Sequence, residues 1–247
     1  MEQSSEQSLF GQRVQHIGEA ILVIVVAYLS AGVAISLLDP LVASLGSTIE
    51  TTNVSQIAQT VIQFAAMMAV VAWYVRFLDT DELVPFRTPD ARAVGLILGG
   101  TVLLLVCQYL INQLLQWADF APGANQAVLA GVGDPTYFLV MIPVSLLVVG
   151  PAEEILFRGA VQGRLRQSWG VWPAIIVATV LFGLIHIPAI TGGFGAQLSY
   201  ALLVGVLGLL LGYIYEYTQN ILVPSLIHGA YNATLFGLLY LTEIGTF

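Results

Sequence analysis

The sequence predicts an all-α, polytopic membrane helix bundle, and three observations predict it. Hydrophobic residues make up 57% of the chain and charged residues 9%, with a mean hydropathy of +0.87; a soluble domain carries about 25% charge. The apolar residues gather into seven runs, each near the ~20 residues that a helix needs to cross the hydrocarbon core. All seven basic residues are Arg, and they gather beside alternate loops.

The first run, 17–38, exceeds the roughly 7–15 apolar residues of a signal peptide and reads as a retained span. The second and third, 54–78 and 92–117, flank a link marked by Pro85 and Pro89. The fourth, 136–163, follows the turn Gly133-Asp134-Pro135. The fifth covers 171–188, and Gly192-Gly193 after it reads as a plain turn. The sixth, 197–215, carries Gly205, Gly208 and Gly212; small residues let membrane helices approach closely. The seventh covers 221–241, with an eighth, short or re-entrant piece inside it as the alternative. The loops are short and no repeat or linker stands out. The chain therefore reads as one membrane domain, 1–247, with residues 1–135 supplying three N-terminal spans and 136–241 the remainder.

Arg13 precedes the first span, Arg76, Arg87 and Arg92 flank the second link, and Arg158, Arg164 and Arg166 lie late in span four. The loops 39–53 and 118–135 hold Asp39, Glu50, Asp119 and Asp134 but no Arg. The positive-inside rule then places the N-terminus in the cytoplasm and, with seven spans, the C-terminus outside, in a multi-pass protein of the cell membrane. The net charge of -8 excludes the basic face that nucleic-acid binding requires. A Lys-free acidic chain suits a high-salt environment. Cys107 is the single cysteine, so no intramolecular disulfide forms, and it reads as a packing residue.

Against this apolar background, three pieces place ionisable chemistry inside the spans: Glu153-Glu154-x-x-x-Arg158, Phe182-x-x-x-His186 and His228-x-x-x-Asn232. Such residues are costly in lipid and mark functional sites by default. Glu154 and Arg158, four apart, share a helix face, so Glu154 neutralises Arg158. Glu153 points about 100° away and is free to face a cavity. Counted from the ends that the arginines mark, Glu153 lies ~16 Å deep, His186 ~22 Å and His228 ~12 Å at helical rise. These depths agree to within tilt, so one intramembrane cavity can hold all three.

A carboxylate beside an imidazole can position and deprotonate water. A second His and an Asn amide can stabilise an oxyanion. The set suits hydrolysis of a peptide bond. Glu153, His186 and His228 also match the ligand count of a hydrolytic site for a divalent metal such as Zn, although no HExxH helix is present. Buried Glu and His equally suit a proton-coupled transporter or a non-catalytic membrane scaffold. The absence of an obvious inverted repeat argues against the transporter.

The three pieces resemble the motifs of the CAAX protease and bacteriocin-processing (CPBP, or Abi) intramembrane endopeptidases. EEILFRG at 153–159 is similar to EExxxR, FGLIH at 182–186 to FxxxH, and HGAYN at 228–232 to HxxxN. The similarity spans roughly 136–241. It implies an endopeptidase of the type II CAAX prenyl protease kind, acting on a membrane-associated protein or peptide. It further implies a catalytic set of Glu153, Glu154, His186, His228 and Asn232, with Arg158 and Phe182 in support. The residues matching Glu153 and His186 act on the water, and those matching His228 and Asn232 serve the oxyanion. The family is described both as glutamate-dependent and as metallopeptidase, and some prokaryotic members resemble processing or immunity proteins.

Overall fold

A computed structural model of the chain describes residues 2–46, 53–77 and 81–246. Among these, seven helices are long and apolar enough to cross a membrane. They are α1 (Glu2–Gly46), α2 (Val54–Phe77), α3 (Ala91–Trp117) and, after a short α4 (Gln126–Leu129), α5 (Pro135–Trp169), α6 (Val171–His186), α7 (Phe194–Thr218) and α8 (Leu222–Glu243). The last is one continuous helix, so the seven-span reading holds and the eighth piece is not present in it. Glu50 lies outside the described residues.

Two helices outrun the apolar runs that announce them. The polar stretch before residue 17 continues α1, and α5 reaches Trp169 before Gly170 ends it at φ 80°. Glycine tolerates that left-handed conformation without a Cβ clash. Large apolar side chains such as Leu22, Leu29, Leu98 and Leu114 face outward, as lipid-facing residues do. Trp73 stacks on Phe77 and Trp172 on Tyr213 near one end, while Trp117 is exposed at the other. Amphipathic rings gather in this way at the membrane–water interface. The chain is a multi-pass integral membrane protein.

Hydrogen bonds sort the loops into two ends. At one, Arg13 donates to the Ser168 carbonyl, Arg164 pairs with Glu19, and Arg166 lies 3.2 Å from Glu216. Tyr215 donates to the Leu83 carbonyl, and Asn220 brackets Arg87 by accepting from its N–H and donating to its carbonyl. At the other end, Asn53 donates to Asp134, the Gly133 N–H to Glu243, and the Gly123 N–H to the Ala196 carbonyl.

α5 is not regular. Ser145–Val149 and Ile155–Gln162 are π-helical and flank the turn Gly150–Glu154. Pro143 and Pro151 lie inside the helix and lack the N–H that an α-helical ladder needs. π-helical turns of this kind recur at functional sites.

Candidate active site

A crossing between α5 and α8 brings the motifs together. A Cβ on Gly150 would meet the Gly229 N and Cα at 2.6 and 2.7 Å, and one on Gly229 would meet the Leu146 Cα at 2.9 Å. Only glycine at both positions lets the two backbones touch. Gly229 is adjacent to His228, so the crossing presses that imidazole onto the Glu153–Glu154 turn.

Glu154 and Arg158 are both fully buried, with Arg158 Nε 3.1 Å from Glu154 Oε2. Arg158 also donates from Nη2 to the Gly208 carbonyl at 3.2 Å, and its guanidinium lies 4.8 Å from the Phe182 ring centroid. One turn further, Gln162 donates to the Gly212 carbonyl at 3.1 Å and to Glu216 at 3.0 Å. The two glycines leave room for these polar heads: a Cβ on Gly208 would meet Arg158 Nη2 at 3.4 Å, and one on Gly212 would meet Gln162 Oε1 at 2.8 Å.

Glu153 occupies the other side of the turn. Its Oε1 lies 3.9 Å from His186 Nε2 and its Oε2 lies 3.5 Å from His228 Nε2. Both rings are fixed from behind. His186 Nδ1 is 2.7 Å from the Phe182 carbonyl, which can only accept, so Nδ1 carries a proton and Nε2 turns to the cavity. His228 Nδ1 is 2.9 Å from Glu154 Oε1, which again leaves Nε2 facing Glu153. Phe182 packs edge-on to His186, at 4.7 Å between centroids, and to His228, at 6.0 Å. Its one-turn spacing from His186 thus serves both rings.

These groups line a cavity of about 500 Å³, within the roughly 300–1,000 Å³ typical of ligand sites. Glu153, His186, His228, Phe182 and Asn232 all reach it. Glu154 and Arg158 do not; they stand behind it. Among the described residues, no three His, Cys, Asp or Glu side chains converge into a group that could hold one metal ion. Glu153, His186 and His228 are neighbours in pairs, with Glu153 3.9 Å from His186 and 3.5 Å from His228.

Sequence reasoning missed three connections. The Glu154–His228 bond makes Glu154 a shared support for Arg158 and an imidazole, whereas spacing alone pairs it only with Arg158. Gln162 extends the same helix face by four residues beyond Arg158, a signal that was available. Tyr200, whose hydroxyl accepts from Asn125 at 3.0 Å and whose ring lies 6.4 Å from His186, carried no motif.

The same stretch is matched by comparison with known proteins. Residues 135–234 match the family described as Type II CAAX prenyl endopeptidase Rce1-like. The stretch is similar to that family. It begins with α5, ends within α8 and contains every residue of the three motifs. The chain is also 26% identical, over 173 residues, to the Bacillus subtilis (strain 168) protein named "Putative membrane peptidase YdiL". That alignment covers 68% of this chain and 66% of the relative, just under two thirds of its length. No solved structure matches the chain.

Proposed function

We propose that the protein is an intramembrane endopeptidase that hydrolyses a peptide bond in a membrane-associated protein or peptide. The observation that carries this reading is the position of Glu153, whose two carboxylate oxygens face two imidazoles that are each fixed at Nδ1. The Rce1-like match over the same residues supports it, as does the relative's name.

The attacking water lies against Glu153 Oε1 and His186 Nε2, both of which accept its protons. Glu153 removes one proton as the water oxygen attacks the scissile carbonyl. The oxyanion forms on the side of His228 and Asn232. His228, protonated at both nitrogens, donates from Nε2 while Nδ1 stays bonded to Glu154. In that form Glu153, Glu154, Arg158 and His228 sum to zero charge, which suits a site removed from water. Asn232 donates from its amide. Collapse of the intermediate returns the proton from Glu153 to the leaving amine. Glu154 and Arg158 touch neither water nor substrate in this scheme; they position His228 and the α5 turn.

The N-terminus is cytoplasmic in this proposal, because six of the seven arginines cluster at the end where α1 begins. The site is assigned a carboxylate-activated water. Metal analysis of purified, active protein, with chelation and re-addition, checks that assignment: activity should persist in metal-free protein, and its loss and recovery with a divalent ion would overturn it.

The decisive experiment compares small membrane-associated peptides in cells carrying the wild-type chain or Glu153→Gln. Products present only with the wild type support a peptidase. A transporter would instead move solute in proteoliposomes with no peptide product.

A further inference from the structure

The cavity has a closed end and an open end, and the two differ in charge. Below Glu153, toward the arginine-bearing end, the path is filled. Leu156, Phe157, Ala160, Val161 and Leu165 have no exposed surface, and Arg158 and Gln162 are bonded to α7. Above Glu153 the lining is apolar, with Met141, Leu235, Phe236 and Leu239, and interspersed with uncharged hydrogen-bonding side chains: Gln56, Thr60 and Gln63 on α2, Gln108 on α3, and Asn125 and Gln126 at the start of α4. Gln126 is exposed, so the cavity reaches the surface there. The rim is a built structure. Ile190 forms a β-bridge with Asn125, and the Thr191 N–H donates to the Ala124 carbonyl at 3.0 Å. A Cβ on Gly123 would overlap the Thr191 carbonyl, which holds the two rim segments in contact.

This rim lies at the arginine-free end. Residues 39–53, 118–134 and 187–193 contain no Arg or Lys, whereas Arg13, Arg76, Arg87, Arg92, Arg164 and Arg166 all lie at the opposite end. Short loops rich in Arg stay on the cytoplasmic side. We infer that the substrate is a polypeptide segment presented on the extracytoplasmic face, which enters at Gln126 as an extended, uncharged stretch and descends to Glu153.

The lining favours that chemistry. A row of carboxamides offers donors and acceptors to the main chain without selecting charged side chains. Among the described residues no Arg or Lys lines the cavity, and the His228 imidazolium lies between Glu153 and Glu154, so no basic side chain is placed along the path to hold a free terminal carboxylate. The site therefore suits cleavage within a chain. A cytoplasmic protein with a lipid-modified C-terminus would face the closed end.

The inference rests on the peptidase reading for what happens at Glu153, but the side of entry is tested without cleavage. In a Cys107→Ala background, Gln126→Cys and, separately, Arg87→Cys are treated with a membrane-impermeant maleimide on intact and on permeabilised cells. The expected result is labelling of Gln126→Cys in intact cells and of Arg87→Cys only after permeabilisation. The reverse pattern overturns the inference. Should Gln126→Cys fail to accumulate, Ala118→Cys, exposed at the same end, replaces it. A second arm uses a reporter with one membrane helix and its susceptible segment on either side. Glu153-dependent cleavage confined to the outer segment supports the inference, and cleavage confined to the inner one overturns it. Outer labelling with no Glu153-dependent cleavage of any reporter would instead overturn the peptidase reading and leave the orientation standing.

Discussion

The two faces of α5 carry the same kinds of polar residue and use them differently. On the face toward α7, Glu154, Arg158 and Gln162 are buried: Glu154 pairs with Arg158 and His228, Arg158 donates to the Gly208 carbonyl, and Gln162 donates to the Gly212 carbonyl and to Glu216. On the cavity face, Glu153 meets two imidazoles at 3.5 and 3.9 Å, distances too long for direct hydrogen bonds and open to a water or a substrate. Neighbouring glutamates thus divide into one that holds Arg158 and His228 in place and one that faces the cavity. The difference teaches that burial alone does not mark a reacting group in a membrane. Its place on the cavity wall does.

The largest expected effect breaks the cavity face alone. Glu153→Gln keeps size and polarity but cannot take a proton. Turnover should fall by about 10²–10⁴-fold, the usual contribution of a general base, while thermal unfolding in detergent is unchanged. Retained turnover in the purified variant would remove Glu153 from the proposed role.

Much of this was legible in the sequence, for identifiable reasons. Lipid demands long apolar runs, so seven spans could be read directly. Depth along a helix is fixed by residue count, so Glu153, His186 and His228 could be placed in one layer. Rotation about the helix axis and interhelical contact are not fixed by count. The Glu154–His228 bond depends on the Gly150–Gly229 crossing, and its register emerges only when two helices are docked. The rim at 122–125 and 187–193 was unreadable for another reason: short turns have no periodicity, and their pairing is set by the helices they join.

The opposite face should fail by unfolding. Arg158→Met leaves Glu154 buried with His228 alone as its partner, and breaking one partner of a buried pair costs about 3–5 kcal/mol. Denaturant unfolding in detergent measures it. The double variant Glu154→Gln/Arg158→Met removes both charges and should recover most of that loss. No recovery would mean that Arg158 acts through Gly208 and Phe182 rather than through its carboxylate.

Asn232→Ala returns to the cavity face with a smaller effect. Removal of one oxyanion donor costs about 10²–10³-fold in kcat. The variant should lower kcat with KM nearly constant, because the donor acts on a charge present only in the transition state. A change confined to KM would make Asn232 a ground-state contact instead.

The smallest effect gives the sharpest test of the division. Gln162 sits on the sealed face and its amide donates to the Gly212 carbonyl and to Glu216. Glu216 keeps Arg166, 3.2 Å away, when the amide is removed. Gln162→Leu therefore loses two hydrogen bonds but strands no charge, and a net loss of about 1 kcal/mol per hydrogen bond sets the scale. Packing of the leucine against Ile175, which already lies beside Gly212, offsets part of it. The expected result is a slightly lower melting temperature and unchanged turnover, since no bond to Glu153, His186 or His228 is touched. A large fall in turnover with the melting temperature preserved would show that the two faces communicate along the π-helical stretch. Gln162 would then belong with Glu154 as a group that positions the site.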